Sequence, residues 1–435
     1  MIINRSYKIP LGTGIEGLLA EVSRMCAGEI LRWFIGMVGA DGYLVETTEC
    51  TAAAPPAWEI PAFLPAPPGK SVVISLIPTG IGCAVGGYAG DAAAATALLA
   101  AAAEHVITNP NALNASNFIG AERGVVYTEG YSLDLFSSGK VPLFVPYANK
   151  IGVIVERASD DALAEVINII NAVRAVHGVE IVDYIVTDTP IGTRCTRHAS
   201  GAYTGRIDNP EVLLSAGRRL LSSGATALAV TTNVQDLPAD AYMSHFAGDH
   251  PNPVGGAEAV VSHLLTRSLG VPAAHAPLLN FKQLPGEPRV VDARSSAEFV
   301  SRSGLACVLL GLRRAPQLEA KPGRGIAAVI GVDEVMAVIA PASALGSGPV
   351  LTAVQRGTPV IAVTANTTIL DVTADRLGLP GVIEVSSYLE AAGAVLALRA
   401  GISLESVRRP LATFGLPDQP AEAVPIPVFS PGSAD

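Results

Sequence analysis

The run "SVVISLIPTGIGCAVGGYAGDAAAATALLAAAAEHVITNPN", Ser71 to Asn111, constrains the fold more than any other stretch. An apolar segment of strand length leads into a glycine-rich turn, then an alanine-rich helix, then a second apolar strand that closes on a Thr and an Asn, which together predict a β-loop-α-β unit. The pattern recurs. "VEIVDYIVTDTPIGTRCTRHASGAYTGRIDNPEVLLSAGRRLLSSGATALAVTTN", Val179 to Asn233, carries "PIG" and "SGAYTG" where the first unit has "GIG" and "GGYAG". "EVMAVIAPASALGSGPVLTAVQRGTPVIAVTANTT", Glu334 to Thr368, is shorter but keeps a proline, a Gly-Ser-Gly turn and a strand finishing in Thr364 and Asn366. The expected fold class is α/β: three related β-loop-α-β units with mixed sheets, in pseudo-three-fold arrangement around a central pocket. The corresponding division is a first α/β unit over 1–150 with a Pro-rich linker at 53–70, a second over 151–285, a third over 286–415 and an extended tail over 416–435.

Between the repeats, the spacing predicts a helix over "GIEGLLAEVSRMCAGEILRW" followed by a strand over "FIGMVGADGYLVETTE". Further helices are expected in "DDALAEVINIINAVRAVHG", "GAEAVVSHLLTRSLG" and "SSYLEAAGAVLALRAG". The alanine-rich stretch Ala92 to Ala103 is bounded by Asp91 and Glu104 and is too short to span a bilayer, so it reads as a buried helix. No export signal is apparent in "MIINRSYKIPLGTGIEG", which places the expected location in the cytoplasm. The five cysteines are scattered and never form a CxxC pair, and they read as free thiols rather than as a disulfide framework or thiolate zinc site. A formal net charge of −10 with no Lys/Arg-rich run excludes a nucleic-acid partner. What remains is a partner of small-molecule size and no membrane, with association into a homo-oligomer left open.

Each glycine loop follows the carboxyl end of a strand and opens a helix, where free N–H groups and the helix dipole favour an anion or a developing oxyanion. Gly87, Gly201 and Gly348 are the candidate donors, with Tyr88, Tyr203 and Ser347 beside them as substrate-binding candidates. Asp91 and Asp208 or Asn209 read as ordinary N-caps. Asn109, Asn233 and Asn366, at equivalent strand ends, suit either turn chemistry or presentation of amide groups to one polar ligand. Neither GxxxxGK[ST] nor a complete GxGxxG fingerprint with its acidic partner is present, so no nucleotide cofactor is expected.

Four of the seven histidines fall between His245 and His275. His245, Asp249, His250 and His263 form a conceivable divalent-metal set, although their spacing is not that of a known motif, and no metal is assigned. Glu258 and His263, five apart on a helix, fall on different faces. His263 and His275 are the general acid/base candidates, because imidazole titrates near neutrality.

At "ISLIPTGIGCAVGGYAGD", "ITNPNALN", "SGAYTG" with "NPEVLL", "GGAEAVVSHLL", "AAHAP" and "SSYLEAAG", the chain resembles the uncharacterised domain-of-unknown-function family 3326, over about Val72 to Ile402. The resemblance implies no settled activity, substrate or catalytic residue. Serine-bearing glycine loops in three-fold array also resemble the plan of ring-opening amidohydrolases, which need an activating lysine; Lys140, Lys150, Lys282 and Lys321 lie outside the repeats without pattern.

The expected function is a cofactor-independent enzyme that hydrolyses a C–N bond in an amide, lactam or cyclic imide. Ser200 or a bound water attacks, His263 or His275 moves the proton, and the loop N–H groups hold the oxyanion. The alternatives are a racemase or isomerase using Cys83 and Cys195 and a non-catalytic small-metabolite-binding protein.

Overall fold

The computed structural model describes residues 2–51, 57–58, 70–117, 124–235, 238–278, 290–299, 304–320 and 325–414. Most of the expected Pro-rich linker and all of the expected tail, 416–435, lie outside the described residues.

Two parallel sheets dominate. In the six-stranded one the order is Ile383–Val385, Val360–Val363, Val335–Pro341, Val72–Ser75, His105–Thr108, Val125–Tyr127, every neighbouring pair parallel. Its strands VVIS and VIAV are buried at every position, as strands covered on both faces must be. The chain enters at the centre with Val72–Ser75, moves outward to Val125–Tyr127, leaves, and returns beside its own first strand at Val335–Pro341 before moving outward the other way. The strand order therefore reverses between Val72–Ser75 and Val335–Pro341, and a crevice opens at their carboxyl ends.

The excursion builds the second sheet, four parallel strands in the order Ala273–Pro277, Ala227–Thr232, Ile151–Val155, Ile181–Val186. The first strand–helix–strand passage reads as expected: Ser159 caps the helix Asp160–His177 through its side chain and Gly178 ends it in the left-handed conformation. A hairpin, Thr193–Arg197 with Tyr203–Ile207, lies beside this sheet and ties back to the first glycine loop where Tyr203 N–H donates to Gly80 O at 2.8 Å.

These sheets correct the three-fold expectation. The first and third repeats are adjacent strands of one sheet, Val72–Ser75 paired directly with Val335–Pro341, whereas the second lies in the other sheet. Local similarity of a β-loop-α-β unit does not fix which sheet it joins. Strands from segments 1–150 and 286–415 accordingly share one sheet.

The amino-terminal segment also differs. The helix expected over 14–33 ends at Met25, because Cys26 turns extended and Gly28 packs on the Cys50 carbonyl, where a Cβ would meet the oxygen at 2.0 Å. The residues beyond form the strand Glu29–Gly39, which with Gly42–Cys50 and Ile2–Pro10 makes an antiparallel sheet. That strand reaches the six-stranded lobe: Ile35 N–H donates to Gly346 O at 3.0 Å and Phe34 bridges Ser347. Arg32 is thereby carried to the crevice.

The helix Gly255–Leu269 lies against the hairpin at closest approach. A Cβ on Gly205 would fall 2.4 Å from Ala257 Cα, and one on Gly256 would fall 2.2 Å from Tyr203 O. Gly205→Ala must push helix and strand apart and is expected to destabilise by about 1–3 kcal/mol. Gly393→Ala, at an exposed position of helix Tyr388–Arg399 with open space around it, should instead stabilise by about 0.5–1 kcal/mol. Urea denaturation of both variants checks the pair; equal effects would mean that the close approach is not a constraint.

Candidate functional site

A cavity of about 180 Å³ lies at the crevice, room for on the order of ten waters or a metabolite of similar heavy-atom count. Leu76 to Thr79 and Asn109 to Asn111 bring the carboxyl ends of two strands to it, and Ser347 and Gly348 bring the start of the helix Gly348–Gln355. The wall is completed by Arg32 to Ile35 of the antiparallel sheet, by Glu129 to Asp134 around the helix Gly130–Ser137, and by Glu258, His263 and His275 of the second lobe. Ligands of open α/β sheets bind in this kind of position.

Glu129, 3% exposed, is the N-cap of its helix and accepts from Tyr131 N at 2.8 Å and from both Ser132 N and Ser132 Oγ at 2.5 Å. Burial outweighs these bonds and pushes its carboxyl up to about 7. His263, 6% exposed, places Nδ1 3.3 Å from Glu129 Oε2 without hydrogen-bond geometry. Burial, reinforced by the Arg32 charge, holds the imidazole down to about 3, so it is neutral near pH 7. Only glycine fits at 130, where a Cβ would lie 2.5 Å from His263 Nε2.

Asp134 is pushed up to about 7, first by burial and then by the neighbouring Glu129, against the pull of Arg32. The Arg32 guanidinium lies over the Phe34 ring at 5.4 Å and donates through Nη2 to Thr79 O at 3.3 Å. Its Nη1 is buried with no hydrogen-bond partner among the described residues, and burial depresses the guanidinium. No ion pair within 4.0 Å joins Arg32 to Asp134.

His275, 4% exposed, bonds Thr232 Oγ1 through Nε2 at 2.8 Å and stands 3.5 Å from Glu258 Oε1 at Nδ1. Glu258 and His263 lie about 140° apart around their helix. They therefore lie on different faces, as expected, and both still reach the cavity.

His263, His275, Asn109, Ser347 and Gly348 thus meet at one cavity, and the other expected residues do not line it. Ser200 donates from N and Oγ to the buried Glu46, at 2.6 and 2.5 Å. Gly87 packs on the Cys83 carbonyl of its own loop, and Gly201 O accepts from Arg197. Tyr88 stacks on His245 at 4.4 Å, and Tyr203 carries the Arg197 guanidinium at 5.0 Å.

The three asparagines share a different task. Asn109 clasps Ile77 N and O, Asn233 holds Arg157 O, and Asn366 clasps Val85 N and O, so each ties down a loop with its amide. Asp91 instead accepts from Tyr88 N and Asp208 pairs with Arg194 and Arg206, so neither caps a helix; Asn209 does take the N-cap position of helix Pro210–Ser222, with its side chain turned to Pro190 O.

Cys83 is buried in the main core, donates to Pro78 O at 3.3 Å and has its thiol pushed up by burial. Cys195 packs beside Tyr242 and Phe246 in a separate cluster, so the two thiols do not face each other across the cavity. His245 is held by Glu298 and the His250 carbonyl, away from His263, and among the described residues no three His, Cys, Asp or Glu side chains gather to hold a metal ion.

Sequence reasoning missed Arg32, Glu129 and Asp134. For Arg32 and Asp134 the signal was present as single charges inside apolar runs, "ILRWFIG" and "SLDLF", where a charge needs a partner or a purpose.

A family described as a protein of unknown function (DUF3326) matches residues 72–408. The chain belongs to the DUF3326 family. An uncharacterised lipoprotein of Synechococcus sp. is 38% identical over 337 residues, which is 77% of this chain and 92% of that protein. No solved structure matches. Within the DUF3326 range lie Glu129, Asp134, Glu258, His263 and His275; Arg32 lies before it. Among the described residues no helix is long and apolar enough to cross a membrane.

Glu129 and Asp134, near 7 in the fold, titrate near 4 in the unfolded chain. The fold therefore holds more protons between those values, and their contribution makes stability fall as pH rises through that window. Asp134→Asn removes one such group. Relative to wild type it should gain more than about 1 kcal/mol between about pH 5 and pH 8. Urea denaturation at both pH values reads this, and a difference that does not change with pH would sink it.

Proposed function

We propose that the DUF3326 chain is an enzyme that acts on a small carboxylate-bearing metabolite in the cavity at the strand-order reversal. The observation that carries this reading is the Arg32 guanidinium, whose buried Nη1 lacks a partner beside a carboxyl that titrates near neutrality. A guanidinium offers a fork of donors that suits a carboxylate, and a carboxyl with a pKa near the working pH suits proton transfer.

The reaction we assign is hydrolysis of a C–N bond in an amide or cyclic imide, with water as nucleophile and no cofactor. Ser200 is committed to Glu46 outside the cavity wall and takes no part. Asp134, as carboxylate, takes a proton from water, whose oxygen bonds to the carbonyl carbon. The resulting oxyanion lies toward the amino-terminal end of helix Gly348–Gln355, whose free N–H groups favour negative charge. The tetrahedral centre collapses, the C–N bond breaks, and protonated Glu129 or Asp134 returns a proton to the leaving nitrogen. His263, held neutral 3.3 Å from Glu129, lines the same wall and adds no charge to it.

With no disulfide among its five cysteines, the chain suits a reducing compartment, and we place it in the cytoplasm. The lipoprotein name of the relative points instead to a membrane surface. Fractionation of the native cell decides between them, and recovery with membranes would overturn the cytoplasmic placement.

A thermal-shift screen of small carboxylate-bearing amides and imides, followed by mass spectrometry of each stabilising compound, tests the activity. Arg32→Gln should raise KM with little change in kcat. Asp134→Asn should lower kcat by about 10²–10⁴-fold, and the wild-type rate should fall below about pH 7 as Asp134 protonates. A compound that stabilises but is never turned over would make the chain a binding protein.

A further inference from the structure

We infer that the cavity is built for a zwitterion, a small molecule that carries one carboxylate and one ammonium group as the head of an α-amino acid does. This rests on the preceding reading that substrate occupies the cavity. The argument is one of charge and unpaired groups. Among the described residues the wall carries a single permanent cation, Arg32, and three carboxyls, Glu129, Asp134 and Glu258.

Two of those carboxyls already have neighbours: Glu129 accepts three hydrogen bonds at its helix start, and Glu258 faces His275. Asp134 differs, since no hydrogen bond from the described residues reaches its side chain. The cavity therefore presents one cationic donor without an acceptor and one carboxyl without a donor, with no ion pair between them.

A simple anion would satisfy Arg32 and add a like charge beside Asp134, which is unfavourable in a half-buried cavity. A simple amine would satisfy Asp134 and leave Arg32 Nη1 unpaired. A zwitterion satisfies both, because its carboxylate accepts from the guanidinium and its ammonium donates to one Asp134 oxygen, leaving the other oxygen to face water.

His263 and His275 are both more than nine-tenths buried and line the cavity, and among the described residues neither Nδ1 has a hydrogen-bond partner, although Glu129 and Glu258 stand 3.3 and 3.5 Å away. Buried polar groups are ordinarily paired. Two such imidazoles on one cavity mark it as a place for a polar ligand rather than as a packing defect. Ser347 Oγ, also buried and without a hydrogen-bond partner among the described residues, adds a third polar group to the lining.

The test is isothermal titration calorimetry on the full chain with three related probes. L-Asparagine has both charges, succinamate lacks the ammonium, and 3-aminopropanamide lacks the carboxylate. L-Asparagine is expected to bind at least about tenfold tighter than either, a difference typical of one charge-assisted hydrogen bond. Asp134→Asn should erase its advantage over succinamate, and Arg32→Gln its advantage over 3-aminopropanamide.

Succinamate binding to wild type as tightly as L-asparagine overturns the zwitterion. If that succinamate binding is lost in Arg32→Gln, the carboxylate-binding reading survives; if it persists, that reading falls too. Failure of all three probes to bind wild type overturns both. The wild-type comparison needs no variant, so the inference stays falsifiable even if Asp134→Asn folds poorly.

Discussion

A guanidinium held away from bulk water is the constraint on which the crevice depends. Arg32 keeps its charge by spreading it among Thr79 O, the Phe34 ring and the fields of Asp134 and Glu46. It acts on its neighbours in return. The same charge helps hold His263 down to about 3 and His198 to about 4, burial being the larger cause in both, and it draws Asp134 downward against burial. Removing a single partner from such a group is strongly destabilising, whereas the intact arrangement adds little net stability.

Much of the architecture could be read from the chain because its signals are local. Helix Tyr388–Arg399 announces itself through Ser387, whose side chain accepts from Glu390 N, and helix Gly255–Leu269 through the left-handed Gly270. The strand-loop-helix-strand pattern was equally visible, and where mixed sheets were expected the strands of the first and third units pair in parallel. What local pattern could not supply was partnership. "GEILRW" fits an amphipathic helix as well as a strand, and the choice was made by pairing with Gly42–Cys50, an interaction outside any window.

The site was legible in the same uneven way. His263 and His275 were chosen because imidazole stands out chemically, and they do meet at the cavity. Asp134 sits in an eight-residue helix, with nothing nearby in sequence to say what it faces. The strand-end asparagines suited either a turn or a ligand; the clasping of Ile77 and Val85 shows how a side-chain amide can stand in for a missing backbone partner. The glycine loop that opens the first unit is accordingly held by other parts of the chain: Asn366 clasps it at Val85, and Tyr203 N–H anchors Gly80 O.

Inserting one sheet between the halves of another has a consequence for synthesis. Val72–Ser75 cannot pair with Val335–Pro341 until some 260 residues have followed it, which at ribosomal rates is a delay of roughly tens of seconds. Throughout that interval an apolar strand edge stands open to any other extended chain. The insert can complete its own four strands in the meantime, so the nascent protein passes through a stage with one finished sheet and one half-sheet. During that stage the unfinished half depends on a chaperone, or on rapid arrival of its remaining strands, to avoid pairing with a stranger.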